Sequence, residues 1–491
     1  MRNLLSIILL SLTILTISCR KELKFSDNPS KDISLSTDTI AFDTVFTSIG
    51  SSTRVLMVYN NNSENLKINS IRLEQGSSSP YSINVDGQSG TAFYDKEIYA
   101  KDSLYVFIKV TIDPTDVNNP FFVPDRLIFN TNGNEQVVNL SAYGQNAHYI
   151  IGRTGIFPDE NGHYTNYYTA ITDSVNTDVH WTAEKPYVIY NVALIDSDGT
   201  LTIEPGTHVY FHGGAGLWAW SEGQLIVNGT AENPVVFQGD RLESFYTDQP
   251  GQWDRIWLME AREGHPHVID HAIIRNGFIG LQIQRMLKDN MEPAYITNTI
   301  IENHTGMGLY ANCYTISASN FVVNNCGNYC VALTGGGNYL FTHGTIANYW
   351  TSSTRKAEAL FFNNLYSNPT DGNTYVVPLE CDIRNSIVYG SQSNEIGSDF
   401  YPVADTTYKF TNCLVRTLRP QLSQLYEQCV FNKDPNFKNT AEFDFHLDTL
   451  SAATGIGNPE YSIGALQFDL DGVARGDQPD AGAYQFVPQG R

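Results

Sequence analysis

A six-residue window returns seven times between His271 and Thr417: HAIIRN from His271, NTIIEN from Asn298, NFVVNN from Asn320, HGTIAN from His343, NNLYSN from Asn363, NSIVYG from Asn385 and NCLVRT from Asn412. Successive starts lie 27, 22, 23, 20, 22 and 27 residues apart. A period of this length marks a solenoid, in which each repeat buries its apolar side only against the repeats above and below. The residue two places before each window adds an apolar column: Ile269, Ile296, Ala318, Phe341, Phe361, Ile383 and Phe410. Some windows run on into a second short strand, as in Gly280-Leu281-Gln282-Ile283 and Gly308-Leu309-Tyr310.

The residue types say what the repeating unit is. Val and Ile suit a pleated, half-buried surface. Asn tolerates the left-handed backbone needed where one strand bends into the next. Five windows close in Asn (276, 303, 325, 348 and 368), so equivalent side chains can stack along an axis. The strands of an antiparallel sandwich do not keep one motif in one register over so many returns. The expected fold is all-β, a right-handed parallel β-helix of roughly ten or eleven turns with about three strands per turn.

Composition narrows the partners. Charged residues make up 17% of 491, and the formal net charge is −22. Nucleic-acid binding rests on Lys and Arg neutralising phosphates, so this balance disfavours it, as it disfavours an electrostatic hold on anionic lipid. The N-terminus reads separately. Met1-Arg2-Asn3, the apolar run from Leu4 to Ile17 and Ser18-Cys19 describe an export signal too short to span a bilayer permanently. Ser18-Cys19 resembles a bacterial lipobox, with Leu15 one place further from the Cys than usual. The resemblance implies lipidation at Cys19 and, with no Asp following, an outer-membrane lipoprotein facing either the cell surface or the periplasm. Lys21-Glu22 is a faint version of the surface-export tag of Bacteroidetes lipoproteins. The other six cysteines lie between Cys313 and Cys429. Export permits disulfides, but buried free thiols are the plainer expectation.

In chain order, the signal occupies residues 1–19 and a polar tether 20–32. Seven short alternating strands over 33–147, divided by turns such as Asn60-Asn61-Asn62 and Asn132-Gly133-Asn134, suggest an immunoglobulin-like sandwich. DTIAFDTVFTSIGSS, YNNNSENLKI and DRLIFNTNGNEQVVNLSAYG resemble the small Ig-like domains of the abnormal-spindle/hydin type, which carry no catalytic residues. Residues 148–186 read as a linker or N-terminal cap, 187–440 as the β-helix, and 441–491 as a closing segment.

Two stretches resemble a family more closely. LTIEPGTHVYFHGGAGL with GQLIVNGTAENPVVFQGD, and DFHLDTLSAATGIG with DLDGVARGDQPDAGAYQF, look like the right-handed β-helix repeat proteins of bacterial, often Bacteroidetes, envelopes. The resemblance implies fold and export. It leaves activity open, because that family includes lyases, hydrolases, epimerases and adhesins.

Candidate chemistry concentrates in one insertion, Gln238 to Trp257. It carries Asp240, Arg241, Phe245, Tyr246, Trp253, Asp254, Arg255 and Trp257. Aromatic faces beside charged hydrogen-bonding groups are what a sugar ring requires; the bland alternative is a loop that closes one side of the solenoid. Trp218 and Trp220, two apart, point to one side of a strand and extend the aromatic set, with core packing as the competing role. Glycoside hydrolysis needs two carboxylates at a set separation. The columns Asp270, Thr297, Ser319, Thr342 and Arg275, Glu302, Asn324 put no two acids on adjacent turns. His265, His267, Asp270 and His271 form the one dense His/Asp cluster, while Asp196-Ser197-Asp198-Gly199 and Asp469-Leu470-Asp471-Gly472 read as turns that do not complete a calcium loop. No cofactor is expected; calcium is possible without a complete motif. The expected function is noncatalytic: a rigid envelope surface that binds glycan or another envelope component. The rival is a polysaccharide lyase or glycosidase acting through the insertion.

Overall fold

The protein is described from a computed structural model, which covers residues 23–48, 50–113, 121–156, 162, 166–173, 177–288, 292–402, 407–420 and 423–488. Cys19 and the rest of the signal lie outside the described residues. Regular structure among them consists of strands and short 3-10 turns. The chain divides into two compact units, Met1–Asn146 and Ala147–Arg491.

In the first unit two sheets enclose one core. One sheet is built on Thr39–Phe46, Asn65–Leu73, Ala92–Ile98, Phe121–Thr131 and Asn134–Gln145; the other on Arg54–Tyr59, Tyr81–Val85 and Ser103–Val110. Alternation decides the faces. In Ser103–Val110, Leu104, Val106, Ile108 and Val110 are buried while Tyr105 and Phe107 are exposed. The tether does not end cleanly at residue 32: Phe25–Ser26 pairs in parallel with Asn65–Leu66, the end of an inner strand whose pairing with Phe121–Thr131 stops at Ile68.

The second unit is a stack of parallel coils joined in a 26-stranded sheet. Each coil presents three faces. The first face runs through Tyr187–Tyr190, His208–Phe211, Val235–Gly239, Ala272–Arg275 and onward to Ile387–Gly390 and Leu414–Val415. The second runs through Val192–Ile195, Gly216–Ala219, Ile256–Leu258, Ile279–Gln284 and on to Leu360–Asn363 and Ile396–Asp399. The third runs through Thr200–Ile203, Gln224–Asn228, Val268–Asp270 and on to Leu379–Arg384 and Thr407–Thr411. Inward residues form columns along the axis. The fourth window position supplies Ile274, Ile301, Val323, Ile346, Val388 and Val415, all buried in one cluster. Full burial of each such side chain stabilises by roughly 1.5–3 kcal/mol.

The corners explain the window's first residue. His271, Asn298, Asn320, His343, Asn385 and Asn412 sit between the third and first faces, every one with φ between 45° and 56°. Asn and His are among the residues that accept this region most readily. Asn320 Nδ2 donates to Asn298 Oδ1 at 3.2 Å, and Asn385 Nδ2 meets His343 Nε2 at 3.1 Å, so side chains that open the window bond from coil to coil, where the sequence predicts stacking of those that close it. At the next corner Asn303 Nδ2 donates to Asn276 Oδ1 at 2.8 Å.

Two expectations are corrected by the register. The fifth window, Asn363–Asn368, is not a coil window. Thr342 pairs directly with Arg384, while Phe361 stacks on the second face between Ala332 and Gly397. An excursion containing the hairpin of Leu365–Ser367 and Thr374–Val376 fills one repeat length, which imitates the spacing. Residues 148–186 are not a separate linker: His148–Ile151, Asn166–Ala170 and Asp178–Trp181 already pair in parallel with the coil beginning at Tyr187. Their polar, Tyr-rich strands lack the β-branched run that marks later coils. The structure also places the closing segment, whose position the sequence leaves open. It folds back over the outward side of the first face, where Phe445, Ala483 and Tyr484 pack on Val322 and Ala347, and Leu447, Ala453 and Ala481 on Ile387 and Leu414. The six cysteines within the coils are free thiols, five of them buried.

Candidate functional site

The residues singled out in the sequence part company at the corner between the first and second faces. Trp253 goes inward. It is 1% exposed, lies flat on Phe211 at 4.2 Å between ring centroids, and donates from Nε1 to Arg275 O at 2.8 Å. This is core packing, and it removes Trp253 from any binding surface.

Asp240, Arg241, Phe245 and Tyr246 stand over the outward side of the first face. Asp240 Oδ2 meets His212 Nδ1 at 2.7 Å, which raises the pKa of that imidazole. Arg241 grips Glu243 with Nε at 3.1 Å and Nη2 at 3.0 Å, and its guanidinium lies 3.9 Å from the centroid of Tyr246. Phe245 is 70% exposed. Beneath them, Arg241, Tyr246, Gln252, Arg275 and Asn276 line a cavity of about 220 Å³. Arg275 spends Nε and Nη2 on Gln238 Oε1, at 2.8 and 2.5 Å, rather than on Glu302 one coil below. Burial pushes the Glu302 carboxyl up; the Arg275 charge and the Asn324 side chain pull against this, and Asp248 of the insertion adds to it.

Trp218, Trp257 and Arg255 lie on the outward side of the second face. Ala193, Leu217, Ile256 and Leu281 point into the core, so the residues following them point out. One outward column reads Leu194, Trp218, Trp257, Gln282, Tyr310, Ala332 and Phe361, each in register with the next. Leu194, Trp218, Gln282 and Ala332 are themselves buried, Trp218 in an apolar cluster with Val192 and Leu194, while Trp257, Tyr310 and Phe361 are half-buried. The indoles of Trp218 and Trp257 meet edge to face at 4.8 Å. Two residues on from these stand Trp220, Met259, Gln284, Asn312, Thr334 and Asn363; Met259 is fully buried, and Gln284, Asn312 and Thr334 follow one another in register. The amides here are linked: Gln282 Nε2 donates to Gln284 Oε1 at 2.5 Å, and Asn312 Nδ2 to Thr334 Oγ1 at 2.9 Å.

The edges of this strip are held. Arg255 pairs with Asp254 at 2.9 Å and donates from Nη1 to Gln282 Oε1 at 2.6 Å. Beside it stand Phe278, 46% exposed, and Tyr329, stacked on Phe361 at 4.8 Å. On the other edge the hairpin at 365–376 reaches back along the coils, with Tyr366 Oη donating to Arg285 O at 3.2 Å. The fully buried Glu260 accepts from the backbone N–H groups of Met286, Leu287 and Lys288 at 2.7, 3.0 and 3.2 Å, fixing the adjoining loop. Read from the sequence, Gln282, Tyr310 and Phe361 are strand residues, Phe361 in the apolar column, and not site candidates. The signal was present in the second strand of each repeat, where GLQI and GLYA align.

The His/Asp cluster does not assemble. His267 is fully buried, its Nδ1 accepting from Leu225 N at 3.1 Å and its Nε2 facing Met259 O at 2.8 Å, and desolvation lowers its pKa to about 4. His271 and Asp270 are corner neighbours at 3.0 Å. Among the described residues no three His, Cys, Asp or Glu side chains gather as metal ligands. Asp469 Oδ1 accepts from the backbone N–H of Asp471 and Val473 at 2.9 and 2.7 Å, as a turn residue does.

No family model and no curated protein matches the sequence. Solved structures align over parts of it only. A family 123 glycoside hydrolase from Clostridium perfringens aligns at 10% identity over 24% of this chain and 30% of its own, with a TM-score of 0.18. The E. coli chaperone DraB aligns at 12% identity over 23% and 54%, with a TM-score of 0.17. A protein of unknown function from Porphyromonas gingivalis W83 aligns at 10% identity over 30% and 58%, also at 0.17. The chain spans less than two thirds of each of these structures, and similarity at this level carries no argument about function.

Proposed function

We propose that this chain is an exported outer-membrane lipoprotein, anchored through Cys19, whose coils form a right-handed parallel β-helix behind an immunoglobulin-like module and bind glycan along the second face. One observation carries the reading: the half-buried rings of Trp257, Tyr310 and Phe361 stand outward in a single register on in-line strands. Aromatic rings cover the apolar faces of sugars, and neighbouring amides pair with their hydroxyls. Rigid aromatic anchors lose little entropy on binding, which favours such a platform. A glycan array probed with the mature protein tests it. Binding that Trp257→Ala and Tyr310→Ala weaken, with the fold intact by circular dichroism, supports the reading; binding unchanged in both variants removes it.

A second reading, a glycosidase or lyase acting at the insertion, has one observation in its favour: Glu302 stands in register with Arg275, and desolvation raises its carboxyl. Product analysis on polysaccharides with wild type and Glu302→Gln tests it, and an absence of cleavage products rejects it.

A further inference from the structure

Charge along the second face is distributed unevenly, and that distribution selects among glycans. Over the rows from Trp257 to Phe361 the floor consists of Trp, Gln, Tyr, Ala and Phe, with Gln284, Asn312, Thr334 and Asn363 alongside. These positions are uncharged. Two cations stand at the edges and both are engaged: Arg255 by Asp254 and Gln282, and Arg285 by the ring of Tyr366, 4.3 Å from its guanidinium. Carboxylates stand at both ends instead. Asp196, exposed, follows Ile195, the partner of Ala219, and so lies beside Trp220; Asp399, exposed, pairs with Asn363.

Geometry adds a second restriction. Coils repeat at about 4.8 Å, so the five steps from Trp218 to Phe361 cover about 24 Å in a straight line. A ligand touching several of these rows must present one apolar face repeatedly without turning away. Amides and hydroxyls pair with hydroxyl or acetamido groups. They do not compensate a carboxylate, whose burial without a cation is costly. The terminal aspartates and the net charge of −22 repel a polyanion as it approaches.

We infer that the second face takes a straight, uncharged, hydroxyl-rich polysaccharide lying parallel to the coil axis, and discriminates against uronate-containing chains. This rests on the glycan-binding reading above. The test uses the full chain and three probes: soluble mixed-linkage β-glucan as a straight neutral chain, soluble amylose as a coiled neutral chain, and polygalacturonate as a polyanion. Affinity electrophoresis and tryptophan fluorescence report binding. The β-glucan is expected to bind with little dependence on salt, about tenfold more weakly in Trp257→Ala, and more weakly again in Gln282→Glu. Circular dichroism establishes that both variants fold. Polygalacturonate binding that Trp257→Ala weakens overturns the inference on charge and leaves glycan binding standing. Preference for amylose overturns the inference on shape. Failure of all three probes to bind removes both this inference and the reading beneath it.

Discussion

Arg475 donates from Nη2 to Asn320 Oδ1 at 2.9 Å across 155 positions of sequence. The bond ties the closing segment to the corner column of the coils. Arg475 is 2% exposed and also donates to Ala483 O at 3.1 Å. Burial lowers its pKa to about 10, opposed by the charges of Asp469 and Asp480, themselves 4% and 1% exposed. The segment therefore holds a buried cation between two buried acids and a stack of asparagines.

Removing that cation leaves Asn320 Oδ1 and Ala483 O without their donor, while Asp469 and Asp480 keep the backbone N–H groups that hold them. Arg475→Met is expected to destabilise by about 1–3 kcal/mol for each buried acceptor left unpaired. It is also expected to free the closing segment before the coils melt, because the segment packs on their outward side through Phe445, Ala483 and Tyr484. Limited proteolysis checks this: cleavage beyond residue 440 should appear in the variant first. Cleavage spread evenly over the coils would show that the segment is not held by Arg475.

At Asn298 the backbone has φ of 48°, and Nδ2 donates to Asp270 Oδ1 at 2.9 Å. Asn298→Ala should cost about 1–3 kcal/mol, the strain of a left-handed conformation plus the lost bond. Asn298→Gly should cost less, since glycine enters this region freely. Denaturant midpoints decide it, and equal losses would place the whole effect in the hydrogen bond.

Trp253 and Trp257, four residues apart, are expected to behave oppositely. Trp253→Ala opens a cavity beside Phe211 and should cost about 3–5 kcal/mol. Trp257→Ala removes a half-buried outward ring and should leave the melting temperature close to wild type while weakening glycan binding. Thermal melts run beside the binding assay separate the two. A large stability loss at Trp257 would assign it to packing.

Acid should loosen the coils through histidines held neutral. Desolvation lowers His267 and His304 from the ordinary 6.5 to about 4. As pH falls below 6.5 the unfolded chain gains these protons first, so stability present above that value declines until pH nears 4. Each contributes at most about 3 kcal/mol across the window. His446 acts in the other direction: Asp471 foremost, with Asp444, raises its pKa, so its contribution is present below 6.5 and fades as pH rises through the raised value. Urea midpoints between pH 4 and 6.5 for wild type and His267→Gln check the first claim. The variant should show a shallower slope, and an unchanged slope would refute the assignment.

The solenoid was legible because its requirements are local. A left-handed corner demands Asn or His wherever it occurs, and an inward column demands Val or Ile, so both repeat in the chain whether or not the coils are seen. Which face a residue joins is decided between coils, and there the pattern misled. The excursion after Asn363 consumed one repeat length, so Phe361 was read in the third-face column while the register sets it on the second face, after Tyr310 and Ala332. The inserted tryptophans gave no sign of parting, Trp253 to the core and Trp257 to the surface, since alternation can be counted only once the strand start at Ile256 is known. The return of residues 441–488 over the first face was equally hidden. It depends on the fit of Ala483, Tyr484 and Arg475 to coils more than a hundred residues away, a complementarity of shape and buried charge that has no period in one dimension.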